Sequence, residues 1–558
     1  MRRADASQAA MIAGTDTTFR PEPELLQLFP AIELSGRHAL VAAVSGGSDS
    51  LALLFLTKTW LEAAAPGVRL VAVTVDHGLR PESAAEARDV AALCARHGIA
   101  HRTMRWQGAK PASAIQASAR VARYRLLAEA AAAAGTDIVL AGHTVDDQAE
   151  TVAMRGARGE GRGLAGMAPA TLFEGRTWIV RPLIAARREA LRNFLRQNGI
   201  GWAEDPSNVD RKYERARVRS AREQMAATSQ SSLSPSLRGE EQSHMDGRPP
   251  LRFALQTTSP PLDGGEEAPA ATEGLPSSPS GGGRGGLKGR SGGRQDPYAI
   301  TPLRGGGDKR EGQVHAAAVR VALGKAAAAL IRAHARLAAP GLIALDRAFA
   351  AADNKDAAIY ALRILLASAG GREQLPDLAR SATLFGRLGD AGWRATLSRA
   401  VVDTRRTGIF LHRERRGLPE PTKPYDGMIW DGRYRIETLT DAGQIAIAPF
   451  GGENARQAKL AGIDAPESLV RAALACEPAV GWRLFATLTP PSPRLELVEG
   501  SREEGRGEGQ SPEITAIPLV APWAQFLPSF DLAAARALAE LLCCEALPGL
   551  PFVGHNEG

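Results

Sequence analysis

The residues with the clearest chemical capacity form the run Ser45-Gly46-Gly47-Ser48-Asp49-Ser50, set between an apolar stretch and a helical pattern in LVAAVSGGSDSLALL. Two glycines let a ligand approach the backbone closely, and hydroxyls with amides at a helix N-terminus make an anion nest. The chemistry that fits is the holding of a phosphate or pyrophosphate. The loop is not of the Walker A type, because it lacks the GK[ST] ending and contains no lysine. Asp49 is informative, since a carboxylate beside phosphates is repulsive unless a divalent cation bridges them. The plainer reading, a Ser/Gly turn capped by an acid, is disfavoured by the strand and helix on either side.

Three further clusters follow. Val75-Asp76-His77-Gly78-Leu79-Arg80 ends an apolar run, where open parallel sheets place ligand-binding residues; a capped turn is the alternative there. Gln116-Ala117-Ser118-Ala119-Arg120 leads to Arg123 and Tyr124, with Arg120 and Tyr124 spaced to share a helix face. Gly142-His143-Thr144-Val145-Asp146-Asp147-Gln148-Ala149-Glu150-Thr151 follows another apolar run. In a helix begun near Thr144, Asp147 and Glu150 project to one side, suited to a cation or an ammonium group. Acids also favour helix N-termini for electrostatic reasons alone.

Elements must position these groups. From Arg37 to Arg222 short β-branched apolar runs alternate with Ala-rich helical stretches, the pattern of parallel strands with crossover helices. Strands are expected at Ala39–Val44, Val68–Val75, Ile138–Ala141 and Thr177–Val180, and helices at Ser50–Ala64, Ala84–His97, Ala112–Ala134 and Arg187–Asn198. Between about Ala227 and Gln313, and again over Pro490 to Pro512, Ser/Pro/Gly/Arg-rich text has too few apolar residues to offset chain entropy and reads as disordered insertions. Val314 to Ala369 carries helical periodicity. Beyond Ser381, short strands and a terminal helix near Asp531–Cys544 suggest an α+β region.

The length of 558 residues implies two to four folded units, and excludes a single small module. The longest apolar runs, such as Leu51 to Leu56, fall short of the roughly 20 residues that span a bilayer, and no basic-then-apolar leader opens the sequence. A cytosolic protein without membrane contact is expected. Cys94, Cys476, Cys543 and Cys544 form neither a disulfide framework nor a CxxC site. The net charge of +7 comes largely from arginine, which suits bidentate phosphate contact and slightly favours a nucleic-acid partner.

SGGSDS resembles the pyrophosphate-binding PP-loop of the N-type ATP pyrophosphatases, which split ATP into AMP and pyrophosphate while adenylating a substrate oxygen. The set SGGSDS, VDHGLR, QASARVARY and GHTVDDQAET resembles the tRNA(Ile)-lysidine synthase family within that superfamily. Two later segments agree: Arg155-Gly156 through Met167, and Glu204-Asp205-Pro206-Ser207-Asn208 with Arg215, Arg217 and Arg219. The family commonly has Arg-Asn-x-Ile/Leu-Arg in the last segment, so Ala216 removes any role for that asparagine here.

The resemblance implies an α/β fold, a parallel-sheet PP-loop domain at 37–226 after an N-terminal extension at 1–36. After the insertion at 227–313 it implies a helical substrate-binding domain at 314–380 and a tRNA-binding C-terminal domain at 381–558, itself interrupted at 490–512. It implies ATP-dependent ligation of L-lysine to C2 of the wobble cytidine in an isoleucine tRNA with a CAU anticodon. Ser45, Gly46, Gly47, Ser48, Asp49, Ser50, Asp76, His77 and His143 would bind ATP, and Asp49 and Asp147 would hold Mg²⁺. Asp147 and Glu150 would bind lysine, with Asp49, Asp147 and Glu150 as the catalytic set. Arg155, Arg158, Arg162, Arg215 and Arg219 would contact tRNA, and a homodimer is compatible. A thiolating relative would need paired cysteines, an amide-forming synthetase would not need the basic tail, and a non-catalytic RNA-binding protein would not need the acidic set.

Overall fold

The computed structural model describes residues 19, 21–29, 32–78, 82–108, 110, 115–156, 165–204, 309–438, 445–460, 462–480, 483–484 and 514–552. Residues 205–308 and 485–513 lie outside these, and with them Arg215, Arg219, most of the first expected insertion and all of the second. Arg158 and Arg162 lie outside as well. The described residues fall in one compact unit built from both halves of the chain.

The first sheet contains β1 (Ala39–Ala43), β2 (Arg69–Asp76), β3 (Ala100–Arg105), β4 (Ile138–Ala141), β5 (Ala170–Phe173) and β6 (Thr177–Val180). Its order is β5-β6-β4-β1-β2-β3, and β6, β4, β1, β2 and β3 run parallel. β1 and β4 are apolar because both faces of a central parallel strand are covered by helices. Those helices are α1 (Ser48–Ala64), α2 (Ser83–Arg96), α3 (Ile115–Ala134), α4 (Val145–Gly156) and α5 (Arg188–Gln197). The expected strands and helices all have counterparts: Ile138–Ala141 and Thr177–Val180 coincide, the other described ends differ by at most two residues, and the expected helix start at Ala112 lies outside the described residues. β3 and β5 were not anticipated, β3 because its mostly exposed residues AHRTMR have no apolar pattern.

Strand order reverses beside β1, with β2 on one side and β4 on the other. The crevice at the carboxyl ends of β1 and β4 is therefore the topological switch point, where such sheets bind ligands.

The segment expected to be helical over 314–380 is only partly so. Helix α6 (Lys309–His334) begins inside the tract expected to be disordered, and α7 (Lys355–Gly370) and α8 (Leu378–Phe385) follow. Between α6 and α7 the chain forms a hairpin, β7 (Ala335–Ala339) and β8 (Leu342–Leu345), turning at Gly341 with φ +69°. Their Ala/Leu composition is helix-like, but β8 pairs with β11 (Gly408–Arg413), and tertiary pairing overrides propensity. The sheet is completed by β9 (Arg394–Leu397) and β10 (Ala400–Arg405), so it spans both sides of residue 380.

Two small sheets follow: β12 (Met428–Trp430), β13 (Tyr434–Thr438) and β17 (Ile514–Pro518); and β14 (Ile447–Pro449), β15 (Pro478–Val480) and β16 (Arg483–Leu484). Strand β18 (Phe526–Pro528) then pairs antiparallel with β5 and so completes the first sheet as its seventh strand. The last helix, Leu532–Leu541, packs on α6, where Asp531, fully buried, accepts from Arg320 Nε at 3.1 Å and from the Tyr360 hydroxyl at 3.0 Å. One core cluster runs from Leu40 and Phe55 through Ile331 and Leu365 to Leu538.

Val314–His334 within α6 is long and apolar enough to cross a membrane by length and composition alone, although Arg320, Lys325 and Arg332 interrupt its apolar runs. Here Arg332 pairs with Glu540 at 2.6 Å and Ala327, Ala328 and Ile331 are buried against the last helix and α7, whereas Val314 and Val319 are exposed, so packing uses part of its apolar surface.

Candidate active site at the sheet switch point

The loop between β1 and α1 is held by its own serines. Ser50 Oγ accepts the Ser45 backbone N–H at 3.1 Å and donates to the Gly47 carbonyl at 2.9 Å. Gly46 has φ +87°, in the left-handed region that favours glycine, and its carbonyl accepts the Ala203 N–H at 3.0 Å. Gly47 is the residue before α1, so the amides of the first turn point out of the loop toward any anion seated there.

The loop after β4 is pressed against this turn. A Cβ on Gly142 would stand 2.8 Å from the Asp49 carbonyl oxygen, so only glycine lets the two loops approach. Thr144 and Asp147 then start α4 with a reciprocal cap. Asp147 Oδ2 accepts both the N–H and the hydroxyl of Thr144 at 2.9 Å, while the Asp147 N–H reaches Thr144 Oγ1 at 3.4 Å. The electrostatic-cap alternative is thus correct for half of the Asp147 carboxylate.

Its other oxygen faces Arg188, the principal residue that sequence reasoning missed. Arg188 Nη2 donates to Asp147 Oδ1 at 3.1 Å and Arg188 Nε to Asp49 Oδ2 at 2.8 Å, so one guanidinium bridges the two carboxylates expected to hold a metal. Its backbone N–H donates to Asp146 Oδ2 at 2.8 Å, and the Val145 N–H reaches the Ala186 carbonyl at 2.9 Å, stitching the starts of α4 and α5 together. The N-termini of α1, α4 and α5 thereby meet at one place, adding partial positive charge suited to phosphate. One turn on, Arg192 Nε lies 3.5 Å from Ser48 Oγ and its Nη2 donates to Glu204 at 3.1 Å; Glu204 also accepts from Trp202 Nε1 at 2.8 Å. The available signal was a pair of arginines four apart in the first turns of a helix, where acids are normally favoured.

Burial pushes the Asp49 carboxyl above its ordinary value, with the Asp147 charge adding to it and Arg188 opposing. For Arg188, burial favours the neutral form, but the charges of Asp49 and Asp147 outweigh it and raise its pKa further. Glu150, 2% exposed, also acts on Arg188 through its charge. The site therefore joins three acids to one firmly protonated arginine. Among the described residues no three His, Cys, Asp or Glu side chains are grouped as a closed metal site. Two converging carboxylates do fit Mg²⁺ of the kind whose remaining ligands are water and substrate phosphate.

The other expected residues make the following contacts. Asp76 spends its oxygens within its turn, accepting the Gly78 N–H at 2.9 Å, the Ser83 hydroxyl at 2.6 Å and Arg105 Nε at 3.2 Å. These are the contacts of a capped turn. His77 lies edge-on to Trp106, with ring centroids 6.5 Å apart. His143 is half-buried between Gly142 and the Thr144 cap. Arg155 donates to the Gly166 carbonyl at 2.9 Å, beside the clamp of Gln148 on Met167, and so ties the end of α4 to Gly166. Arg120 lies over the Tyr124 ring, 5.1 Å from its centroid, as their spacing suggested.

A PP-loop domain model matches residues 20–224. The chain is 46% identical over 543 residues, 96% of its length and 99% of the relative's, to a tRNA(Ile)-lysidine synthase of Mesorhizobium japonicum. It is 36% identical to the corresponding protein of Rhizobium meliloti, covering 74% of this chain and 76% of the other. A Brucella ovis relative of the same name is 50% identical over 197 residues, 35% of this chain and 44% of that one. With a PP-loop domain whose loop lies at the switch point of its sheet and a relative matched over nearly its whole length, the chain belongs to the tRNA(Ile)-lysidine synthase family.

Proposed function

We propose that this chain ligates L-lysine to the wobble cytidine of the isoleucine tRNA with a CAU anticodon, consuming ATP and forming lysidine. The observation that carries the reading is the meeting of Asp49 and Asp147 at the Arg188 guanidinium beside the Ser45–Ser50 loop. The loop amides and the hydroxyls of Ser45, Ser48 and Ser50 would seat the β- and γ-phosphates. Asp49 and Asp147 would hold Mg²⁺, which neutralises charge on the leaving pyrophosphate when bound.

The cytidine O2 attacks the α-phosphorus, the bond to pyrophosphate breaks, and the base is left adenylated. The lysine ε-amine then forms a bond to C2 as the C2–O bond to AMP breaks. The attacking amine must be neutral, whereas its ordinary pKa is near 10.4. Asp147 and Glu150 would bind the ammonium form, and one of them would accept its proton. Arg155, Arg158, Arg162, Arg215 and Arg219 remain proposed tRNA contacts. Homodimerisation and a cytoplasmic setting are likewise proposals. A sulfur-transferring alternative is disfavoured, because the described part of the PP-loop domain holds one cysteine, Cys94, and it is buried.

The test is incubation of the purified protein with ATP, Mg²⁺, labelled lysine and CAU-anticodon tRNA. Label on the tRNA with release of AMP and pyrophosphate is expected. A folded protein that transfers no label and releases no pyrophosphate would overturn the reading.

A further inference from the structure

We propose that Arg188 is an internal counter-cation for Asp49 and Asp147, which keeps divalent metal out of the site until nucleotide arrives and is then exchanged for it. The inference rests on reading these two acids as Mg²⁺ ligands.

Its basis is the placement of one side chain. Arg188 and Asp49 are each 19% exposed, and Asp147 is 12% exposed, so the bridge is largely shielded from water. The guanidinium uses two different nitrogens on two different carboxylates, an arrangement that Arg's planar fork pre-organises and a flexible Lys ammonium does not. Nothing in the helix calls for this cation. Arg188 occupies the first turn of α5, where the macrodipole disfavours positive charge, and its own N–H is already capped by Asp146.

Charge arithmetic supplies the reason for an exchange. With Glu150 acting on the same guanidinium, three carboxylates and one arginine carry about two net negative charges, and a nucleotide triphosphate adds about four more. Binding both is prohibitive unless cations enter with the nucleotide. The loop Ser45–Ser50 contains no lysine or arginine. When metal entering with ATP takes the oxygens that Arg188 now occupies, the displaced guanidinium stays beside the phosphate loop and its charge becomes available there. Without nucleotide the metal has only two carboxylate oxygens to gain, and it must displace a cation already hydrogen-bonded to both.

The experiment is Mn²⁺ binding to the full chain followed by electron paramagnetic resonance, without nucleotide and then with a non-hydrolysable ATP analogue. The proteins are wild type, Arg188→Gln, Arg188→Lys and Arg192→Gln. Wild type is expected to bind Mn²⁺ only with the analogue. Arg188→Gln leaves the acids unbridged and is expected to bind Mn²⁺ at least tenfold more tightly than wild type without nucleotide, with pyrophosphate release slowed. Arg188→Lys, with one charge and no fork, should fall between them. Arg192→Gln, whose side chain meets Ser48 and Glu204, should bind Mn²⁺ without nucleotide as wild type does.

Equal nucleotide-free Mn²⁺ affinity in wild type and Arg188→Gln, both folded by near-ultraviolet circular dichroism, would overturn the exchange. If lysidine still formed and the analogue still recruited Mn²⁺ to wild type, the functional reading would survive that result. Mn²⁺ recruitment by the analogue left unchanged in Asp49→Asn and Asp147→Asn would overturn the metal assignment and the exchange together.

Discussion

Thr144 and Asp147 cap one another at the start of α4, and the same Asp147 carboxylate reaches Arg188 with its second oxygen. One side chain thus sets both the helix start and the acidic side of the site. Asp147→Asn can keep a single acceptor for the Thr144 cap, but it then turns an amide NH₂ toward Arg188. We expect pyrophosphate release to fall by about a hundredfold or more, in line with loss of a charge-stabilising group. Stability should drop by about 1 kcal/mol, the cost of a weakened cap. Filter binding should find tRNA affinity nearly unchanged. Asp147→Ala, losing the cap as well, should be clearly less stable in urea than Asp147→Asn.

Gly142→Ala probes the approach of the two loops. The new methyl would meet the Asp49 carbonyl oxygen at 2.8 Å and the Ser50 amide nitrogen at 3.1 Å, both backbone atoms at the phosphate loop. Relief requires the loop to shift, so ATP binding should weaken at least tenfold by calorimetry while the melting temperature falls by only a few degrees. Unchanged ATP affinity would mean that the loops separate without consequence for the site.

The parallel core was legible because β1 and β4 are uninterrupted apolar runs between turn signals, and Asp49 and Asp147 were legible because they stand in motif segments directly after them. β7, β8 and β18 were not. ARLAA and LIAL are written in residues that also make helices, and FLP is three residues long, so only pairing with distant strands identifies them. Arg188 escaped for a related reason: no motif surrounds it, and its partners are 41 and 139 positions away in sequence.

Thiol reactivity should separate the four cysteines. Burial pushes Cys94 and Cys476 up to about 11, and Cys544 up to about 12, whereas Cys543 is exposed. The thiolate is the reactive form, so at pH 7.5 Cys543 should modify rapidly and the other three slowly with a chromogenic disulfide reagent. All four should react in denaturant. Cys543→Ser should remove the fast phase and leave lysidine formation intact.

The C-terminal segment is woven into the catalytic half. β18 supplies the strand beyond β5, and three residues after it the buried Asp531 receives Arg320 of α6 and Tyr360 of α7. Removing one partner of a buried ion pair typically costs about 3–5 kcal/mol, because the other charge is left uncompensated. Arg320→Met should therefore lower unfolding stability by about that amount in urea, and a double variant Arg320→Met with Asp531→Asn should recover part of it. A chain ending at residue 380 would lose β18, the last helix and three strands of the five-stranded sheet, exposing the β5 edge and the faces of α6 and α7. Such an edge pairs with other chains, so this truncation should aggregate on expression. A soluble and monomeric 1–380 fragment would show that the two halves fold separately, against the shared sheet.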